Sequence, residues 1–293
     1  MTCLNNTSYS QIMLYQNHSR SFKENRYVYP VLSRRSKGIS VGINLNPDKV
    51  CNFNCIYCQV DRNGSAPGIS VDISQICREL AETLEMIKTG EIFLIPPFDK
   101  VPPELRHISD IAISGDGEPT MFPGFYEVVK EVLKIKEEWE ERGHFPLVLI
   151  TNSTGLNRPK VQDAIDLIYK NNGEVWLKLD AGSEDFHKKV SGSDIPLKVI
   201  IQNIKSVAIR HPVVIQSCFF RIDNSPFPIS EIEDYCLLLK EIVESGGKIR
   251  LIQIYTVARP PREDYVSPLS QNELNFIADK VHELTNIPTE IYP

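Results

Sequence analysis

The sequence predicts an α/β fold in which parallel strands alternate with helices. Short runs rich in β-branched residues recur from residue 39 onward, each is followed by a segment with helical spacing of apolar residues, and six such units occur in series. Strands separated by helices pair in parallel through right-handed crossovers. Six units fall short of the eight in a closed barrel. An open partial barrel or a doubly wound sheet therefore remains.

The predicted strands are short and rich in valine and isoleucine, which is typical of buried strands bounded by turn residues. In chain order they cover residues 39–45, 111–114, 147–151, 175–179, 213–220 and 249–257.

Between the strands, apolar residues recur at the three- and four-residue spacing of an amphipathic helix. The predicted helices cover residues 73–88, 124–142, 159–170, 196–210, 230–245 and 270–285. Two of them begin with a capping box, Ser230 with Glu233 and Ser270 with Glu273. In both candidate folds the chemistry collects at the carboxyl ends of the strands, so the residues there are the candidate site.

Composition excludes several classes of protein. The chain has 293 residues, 42% of them hydrophobic and 24% charged, which is a globular composition and not that of a disordered or coiled-coil protein. No apolar run approaches the ~20 residues of a membrane helix, and the apolar cluster at residues 12–15 is too short for a secretory signal. We therefore expect a cytoplasmic protein without a membrane partner. The 32 basic and 38 acidic side chains give a net charge of −6, which ranks nucleic acid below a small molecule or a protein as partner.

A loop after the first predicted strand carries Cys51, Cys55 and Cys58 in the pattern C-x3-C-x2-C. Without an export signal, clustered cysteines favour metal binding or reactive thiols over disulfides. A structural zinc site uses four protein ligands, and no fourth cysteine or histidine lies nearby in the sequence. Three cysteines would leave one iron of a [4Fe–4S] cluster open to a small molecule. The pattern favours such a catalytic cluster, and a zinc knuckle with a distant fourth ligand is the alternative.

This cysteine loop resembles that of the radical S-adenosylmethionine (SAM) superfamily, and a second segment supports the resemblance. Residues 114–120 follow the second predicted strand, and their glycines would let the backbone approach a ligand closely. Gly115, Gly117 and Glu118 match the Gly-Gly-Glu segment of the family, with Asp116 as an extra residue. The resemblance implies that this segment binds SAM, with Glu118 receiving its ammonium group.

Polar residues at other positions fit the resemblance less specifically. Asn152 and Ser153 follow the third predicted strand and Asp180 ends the fourth; the resemblance places ribose contacts near them, and a helix cap is the alternative role for Asp180. Arg259 or Arg262, in a proline-stiffened loop after the sixth strand, could clamp a carboxylate or phosphate bidentately. A solvated surface arginine is the alternative, favoured for Arg262. Tyr57 precedes the last cysteine of the loop. The aromatic residue at this position lies near the SAM adenine in the family, and ordinary packing is the alternative.

The resemblance covers roughly residues 30–262. Residues 33–35 and 41–45, together with the Arg-Pro-Pro loop, are similar to the branch named after wyosine-type tRNA synthases. The resemblance implies a partial (β/α)6 TIM-like barrel of parallel strands over residues 31–293, with an N-terminal arm over residues 1–30 and a C-terminal helix.

The resemblance also implies the chemistry of an oxygen-sensitive radical SAM enzyme. A low-potential flavodoxin or ferredoxin would reduce the [4Fe–4S] cluster, and bound SAM would break into methionine and a 5′-deoxyadenosyl radical. That radical would abstract hydrogen from an unidentified small-molecule or protein substrate. Three alternatives remain: an activase that installs a glycyl radical on a partner protein, a wyosine-like enzyme that modifies a tRNA base, and a non-enzymatic metal-binding carrier.

Overall fold

The computed structural model describes residues 20, 22–62, 68, 70–139 and 144–293. Its strands are β1 (Val28–Ser33), β2 (Gly38–Ile43), β3 (Ile108–Ile113), β4 (Leu147–Thr151), β5 (Glu174–Lys178), β6 (Val213–Cys218), β7 (Phe220–Ile222), β8 (Ile249–Tyr255), β9 (Val266–Pro268) and β10 (Thr289–Tyr292). Eight of them form one sheet in the order β1-β2-β3-β4-β5-β6-β8-β10. The strands from β2 to β10 in that sheet are parallel, and β1 pairs antiparallel with β2. The predicted open partial barrel is confirmed.

The α-helices alternate with these strands. They are α1 (Ile73–Thr89), α2 (Phe125–Trp139), α3 (Pro159–Lys170), α4 (Glu184–Ser191), α5 (Leu197–Ala208), α6 (Ile229–Glu244) and α7 (Gln271–Thr285). All six predicted strand–helix units are therefore present. The predicted strand over residues 213–220 divides into β6 and β7, because pairing with β8 ends at Cys218 and Phe220 pairs instead with Pro268 of β9.

Two strands of the sheet were not predicted. β1 contains Pro30, which lacks the backbone N–H of a ladder donor, and proline argues against a central strand. Proline is tolerated here because β1 is the antiparallel edge strand of the sheet. β10 has only four residues, too few to show a periodic pattern, and it extends the sheet beyond β8 in parallel.

The predicted N-terminal arm is described only in part. Residues 1–19 lie outside the described residues, and β1 begins at Val28, inside the range assigned to the arm. The division of the chain into an arm and a barrel therefore stays a prediction.

One of the two predicted capping boxes is present. Ser270 and Glu273 exchange both hydrogen bonds at the start of α7, as predicted. The prediction for Ser230 was wrong, because α6 begins one residue earlier at Ile229. Pro228 occupies the N-cap position there and has no side chain that can accept a hydrogen bond.

The main core lies between the sheet and the helices, and a smaller apolar group fills the inner side of the sheet. That inner group consists of Ala112, Val148, Trp176 and Val214. Because side chains alternate across a strand, the next inward-facing residues toward the carboxyl ends are Ser114, Ile150, Lys178 and Gln216. Three of them are polar, and all four line the cavity described below. Within the described residues, no helix has the length and apolarity needed to cross a membrane.

Candidate active site

Most of the predicted site residues line one cavity of about 310 Å³. The predicted residues around it are Cys51, Cys55, Tyr57, Cys58, Gly115, Asp116, Gly117, Glu118, Asn152 and Arg259. Asp180 lines a smaller adjoining cavity, to which Cys55, Tyr57 and Asn152 also contribute. Ser153 lines neither cavity. The fold thus brings together segments that are far apart in the sequence, as expected for the carboxyl edge of a parallel sheet.

Backbone hydrogen bonds fix the cysteine loop at its middle and at its C-terminal end. The N–H of Asn54 donates to the carbonyl of Ser191 at 2.8 Å, and the N–H of Ile56 donates to Val190 at 3.0 Å, so the loop rests on the last turn of α4. At its C-terminal end the carbonyl of Cys58 accepts from the N–H of Arg262 at 2.8 Å. These contacts hold the loop between α4 and the segment that follows β8.

The three thiols of the loop are free of disulfides. Burial raises the pKa of both Cys51 and Cys55, and the Arg62 guanidinium lies 3.6 Å from the Cys58 sulfur. Among the described residues, no three His, Cys, Asp or Glu side chains are arranged as a metal site. The donor chemistry itself fits a [4Fe–4S] cluster, because three soft sulfur ligands on one short loop border a cavity and leave room for a further ligand.

Gly115 and Gly117 are required by close packing against other parts of the protein. A Cβ atom on Gly115 would lie 2.2 Å from the amide oxygen of Asn44, and one on Gly117 would lie 2.1 Å from the carbonyl of Val50. Asn44 follows β2 and Val50 precedes the cysteine loop. The glycines therefore let the segment after β3 pack directly on the base of the cysteine loop.

Asp116 is engaged by protein groups. Its carboxylate forms an ion pair with Arg20 and accepts a hydrogen bond from the Asn44 amide at 2.7 Å. The N–H of Asp116 in turn donates to the Asn44 side-chain oxygen at 3.0 Å. These bonds tie the segment after β3 to the chain on both sides of β1 and β2.

Glu118 is 3% exposed and holds the ends of β3 and β4 together. Its Oε1 accepts from the Thr151 hydroxyl at 2.6 Å and from the hydroxyl and N–H of Thr120 at 2.5 and 3.1 Å. Its Oε2 accepts from the N–H of Asn152 at 2.6 Å. Burial raises the pKa of Glu118, and the four hydrogen bonds act in the opposite direction. Because Oε2 has one described donor, it keeps capacity for another.

The residues after β4 divide into one that faces the cavity and one that does not. The Asn152 amide donates to the side-chain oxygen of Asn52 in the cysteine loop at 2.8 Å, and its own oxygen accepts from the Thr154 hydroxyl at 2.7 Å. Ser153 is fully buried, and its hydroxyl has no hydrogen-bond partner among the described residues. Its backbone has a φ of 69°, which carries the chain through a left-handed turn there.

Asp180 forms the centre of a polar network that the sequence did not reveal. Its carboxylate accepts from the Tyr57 hydroxyl at 2.6 Å, from Lys178 Nζ at 3.3 Å and from the N–H of Cys218 at 2.8 Å. The N-cap of α4 is Ser183, so Asp180 does not have the alternative role of helix cap. Burial opposes the charged form of Lys178, but Asp180 and Tyr255 outweigh it and raise the pKa of Lys178.

Several cavity residues went unpredicted because they lie within the strands and not after them. Lys178 donates to the Tyr255 hydroxyl at 2.6 Å, which joins β5 to β8 across the cavity. Cys218 also lines the cavity, at the end of β6. The period-two alternation along β5, from Trp176 to Lys178, is the signal that could have placed the Lys178 side chain inward.

The predicted Arg259 is held at the cavity by a hydrogen bond of 3.2 Å from its Nε to Gln59.

The chain matches the profile of a known protein family. The profile described as the Radical SAM superfamily matches residues 45–239, about two thirds of the chain. The matched part includes the cysteine loop, Glu118, Asn152 and Asp180.

Three curated relatives illustrate the range of similarity. A protein of Brachyspira hyodysenteriae named GTPase Obg is 27% identical over 90% of this chain and 34% of its own length. A UPF0026 protein of Helicobacter pylori is 28% identical over 77% of this chain and 60% of its own, and one of Methanocaldococcus jannaschii is 27% identical over 82% and 65%. The chain thus spans between about one third and two thirds of the length of these relatives.

The crystal structure of an archaeal TYW1 is similar to this chain in outline. It covers 94% of this chain and 80% of its own, with a TM-score of 0.48 and 16% sequence identity.

Proposed function

Because this chain belongs to the radical SAM superfamily and is therefore an enzyme, we propose that Cys51, Cys55 and Cys58 hold a [4Fe–4S] cluster to which SAM binds. The observation that carries the proposal is that the three free thiols of one loop and the carboxylate of Glu118 border the same cavity. A thiolate-held cluster with one open iron needs a neighbouring site for its small-molecule ligand. The packing of Gly117 against Val50 sets the Glu118 segment beside the cysteine loop.

Held by Cys51, Cys55 and Cys58 and reduced by one electron, such a cluster would supply the reductive cleavage of SAM to methionine and a 5′-deoxyadenosyl radical, for hydrogen abstraction from a substrate. The residues of the chain bind and orient SAM. Glu118 receives the ammonium group of SAM through Oε2. The donors on Thr120, Thr151 and Asn152 hold its carboxylate in place and favour its ionised form, against the burial that raises its pKa.

We assign the ribose hydroxyls of SAM to Asn152 and Asp180. Asp180 lies beside Cys55 and Tyr57 in the smaller cavity, and its three hydrogen bonds hold the carboxylate in one orientation. A carboxylate is a strong acceptor for hydroxyl donors. The Tyr57 hydroxyl donates a hydrogen bond to Asp180, and its ring lines both cavities. We assign the contact with the adenine to this ring.

We further propose that a low-potential flavodoxin or ferredoxin of the cytoplasm supplies the electron, and that the substrate is a small molecule or a protein. A soluble one-electron donor suits a cluster held on a loop at the mouth of the barrel. The net charge of −6 makes nucleic acid a less favoured substrate than a small molecule or a protein.

Reconstitution of the full-length protein with iron and sulfide under anaerobic conditions tests the cluster. We expect about four irons for each chain and binding of SAM by equilibrium dialysis. Replacement of Cys51, Cys55 and Cys58 together by alanine should abolish both. Cys77→Ala removes a thiol from α1, outside the cavity, and should change neither. Equal iron content in the triple variant and in the unmodified protein would refute the assignment.

A further inference from the structure

The turn between β1 and β2 brings two arginines to the cavity from its open side. Arg34 and Arg35 both line the cavity. The Arg35 guanidinium lies 4.6 Å from the ring centre of Tyr255 and 5.8 Å from that of Tyr292, and Arg34 donates to the backbone oxygen of Pro293. Since β1 and β10 are the two edges of the sheet, this turn reaches across the gap between them.

The charged side chains around the cavity are unequal in number. The cations are Arg20, Arg34, Arg35, Arg62, Lys178 and Arg259, and the acids are Asp110, Asp116 and Glu118. Arg20 pairs with Asp116, and Lys178 pairs with Asp180 from the adjoining cavity. The cavity therefore carries an excess of positive charge before any ligand binds.

Arg34 and Arg35 account for much of this excess. Within the described residues, neither forms an ion pair with an Asp or Glu side chain. The Nε atom of Arg35 is buried and has no hydrogen-bond partner there. The cavity acid Asp110, on β3, has other partners: its carboxylate accepts from the hydroxyls of Ser40 and Ser109.

The two guanidinium groups also oppose each other. Burial, with Arg35 and Arg259 as like charges, lowers the pKa of Arg34 to about 10. Holding such groups together costs free energy unless a counter-ion joins them. An anion in the cavity would relieve the repulsion and accept the unused N–H donors.

We propose that Arg34 and Arg35 bind the anionic head group, a carboxylate or a phosphate, of a small-molecule substrate. This inference rests on the proposed function, because it assigns the substrate of the same cavity. Ile150 and Trp176 line the same cavity and offer apolar contact to the uncharged part of such a molecule. Planar guanidinium groups match both head groups bidentately.

Isothermal titration of the full-length reconstituted protein tests the subsite, with inorganic phosphate and malonate as separate probes at constant ionic strength. We expect saturable binding of at least one probe, and the stronger of the two identifies the head group. Arg35→Gln and Arg34→Gln should each weaken binding about tenfold or more, since each removes charged hydrogen bonds. Arg35→Lys keeps the charge and should weaken binding less than Arg35→Gln.

The matched control is Arg210→Gln, which removes the same charge from a surface ion pair with Asp166 and should leave binding unchanged. The absence of saturable binding of both probes would overturn the proposal, and so would equal affinities of Arg35→Gln and Arg210→Gln. Displacement of bound phosphate by tRNA, with the same dependence on Arg35, would overturn the assignment to a small molecule. Binding does not require SAM cleavage, so the result decides this inference separately from the proposed function.

Discussion

Glu118 and Asp180 show how single carboxylates organise the site. Each accepts hydrogen bonds from both sides of a gap between neighbouring strands: Glu118 joins β3 to β4, and Asp180 joins the end of β5 to β6. Each also lies against a cavity to which the cysteine loop contributes. The same groups therefore hold the strand ends and border the cavities.

The hydrogen bond from Tyr57 to Asp180 should be measurable in stability. Tyr57→Phe keeps the ring but removes the 2.6 Å bond to the carboxylate, and a hydrogen bond to a charged group contributes about 1.5–3 kcal/mol. We expect a decrease of that size in the free energy of unfolding, measured by urea denaturation. Tyr265→Phe, at an exposed tyrosine, is the control and should stay within about 0.5 kcal/mol of the unmodified protein. Equal stability of the two variants would show that the Tyr57 hydroxyl contributes nothing.

Residue roles were predictable from the sequence only where they depend on local spacing. The cysteine triplet and the segment ending in Glu118 are contiguous, so their pattern is visible. The bond between Tyr57 and Asp180 joins positions 123 residues apart, and no local pattern reports it. Ser153 was predicted from its neighbours, but its left-handed backbone and complete burial depend on tertiary packing.

At the scale of elements, β1 is attached to the barrel by α1 as well as by β2. Glu79 of α1 is 6% exposed and accepts from the N–H groups of Arg26, Tyr27 and Val28 at 2.9 to 3.0 Å. Arg26 and Tyr27 precede β1, and Val28 is its first residue, in register with Ile43 of β2. One buried carboxylate therefore satisfies the backbone where the edge strand begins.

Glu79→Ala should loosen β1 without unfolding the barrel. It leaves three N–H groups without an acceptor, each costing about 1–3 kcal/mol where it stays buried, and an edge strand can open locally to rehydrate them. We expect faster hydrogen exchange in the peptide covering residues 26–33, measured by mass spectrometry. Glu82→Ala, at an exposed position of the same helix, should not change that exchange. Unaltered exchange in Glu79→Ala would mean that β2 alone holds the strand.

The elements were predictable where the spacing of apolar residues agrees with the turn and capping residues that bound each segment. The six strand–helix units follow from apolar spacing, and they set the parallel sheet. β1 was missed because it begins within the residues assigned to the N-terminal arm. Its Pro30, which would argue against a central strand, is tolerated at this edge position. β10 is recognisable only once the sheet edge at β8 is known, since four residues carry too little pattern.

At the scale of the whole molecule, the sheet is open and its cavity collects residues from nearly its full width. The cysteine loop, the Glu118 segment and Asn152 follow β2, β3 and β4, respectively. Lys178 lies on β5 and Tyr255 on β8. The arginine turn at positions 34 and 35 lies across the gap between the two edges of the sheet. We propose that a cofactor and an anionic substrate meet in this one cavity.

The central claim is that the cavity cleaves SAM reductively at a cluster held by Cys51, Cys55 and Cys58. The most direct measurement is the 5′-deoxyadenosine formed when the reconstituted protein receives dithionite and SAM without oxygen, quantified by liquid chromatography and mass spectrometry. We predict that 5′-deoxyadenosine accumulates with the unmodified protein and with Cys77→Ala, and that none forms when the three loop cysteines are replaced by alanine. If the protein holds its iron and binds SAM but forms no 5′-deoxyadenosine, the account is contradicted.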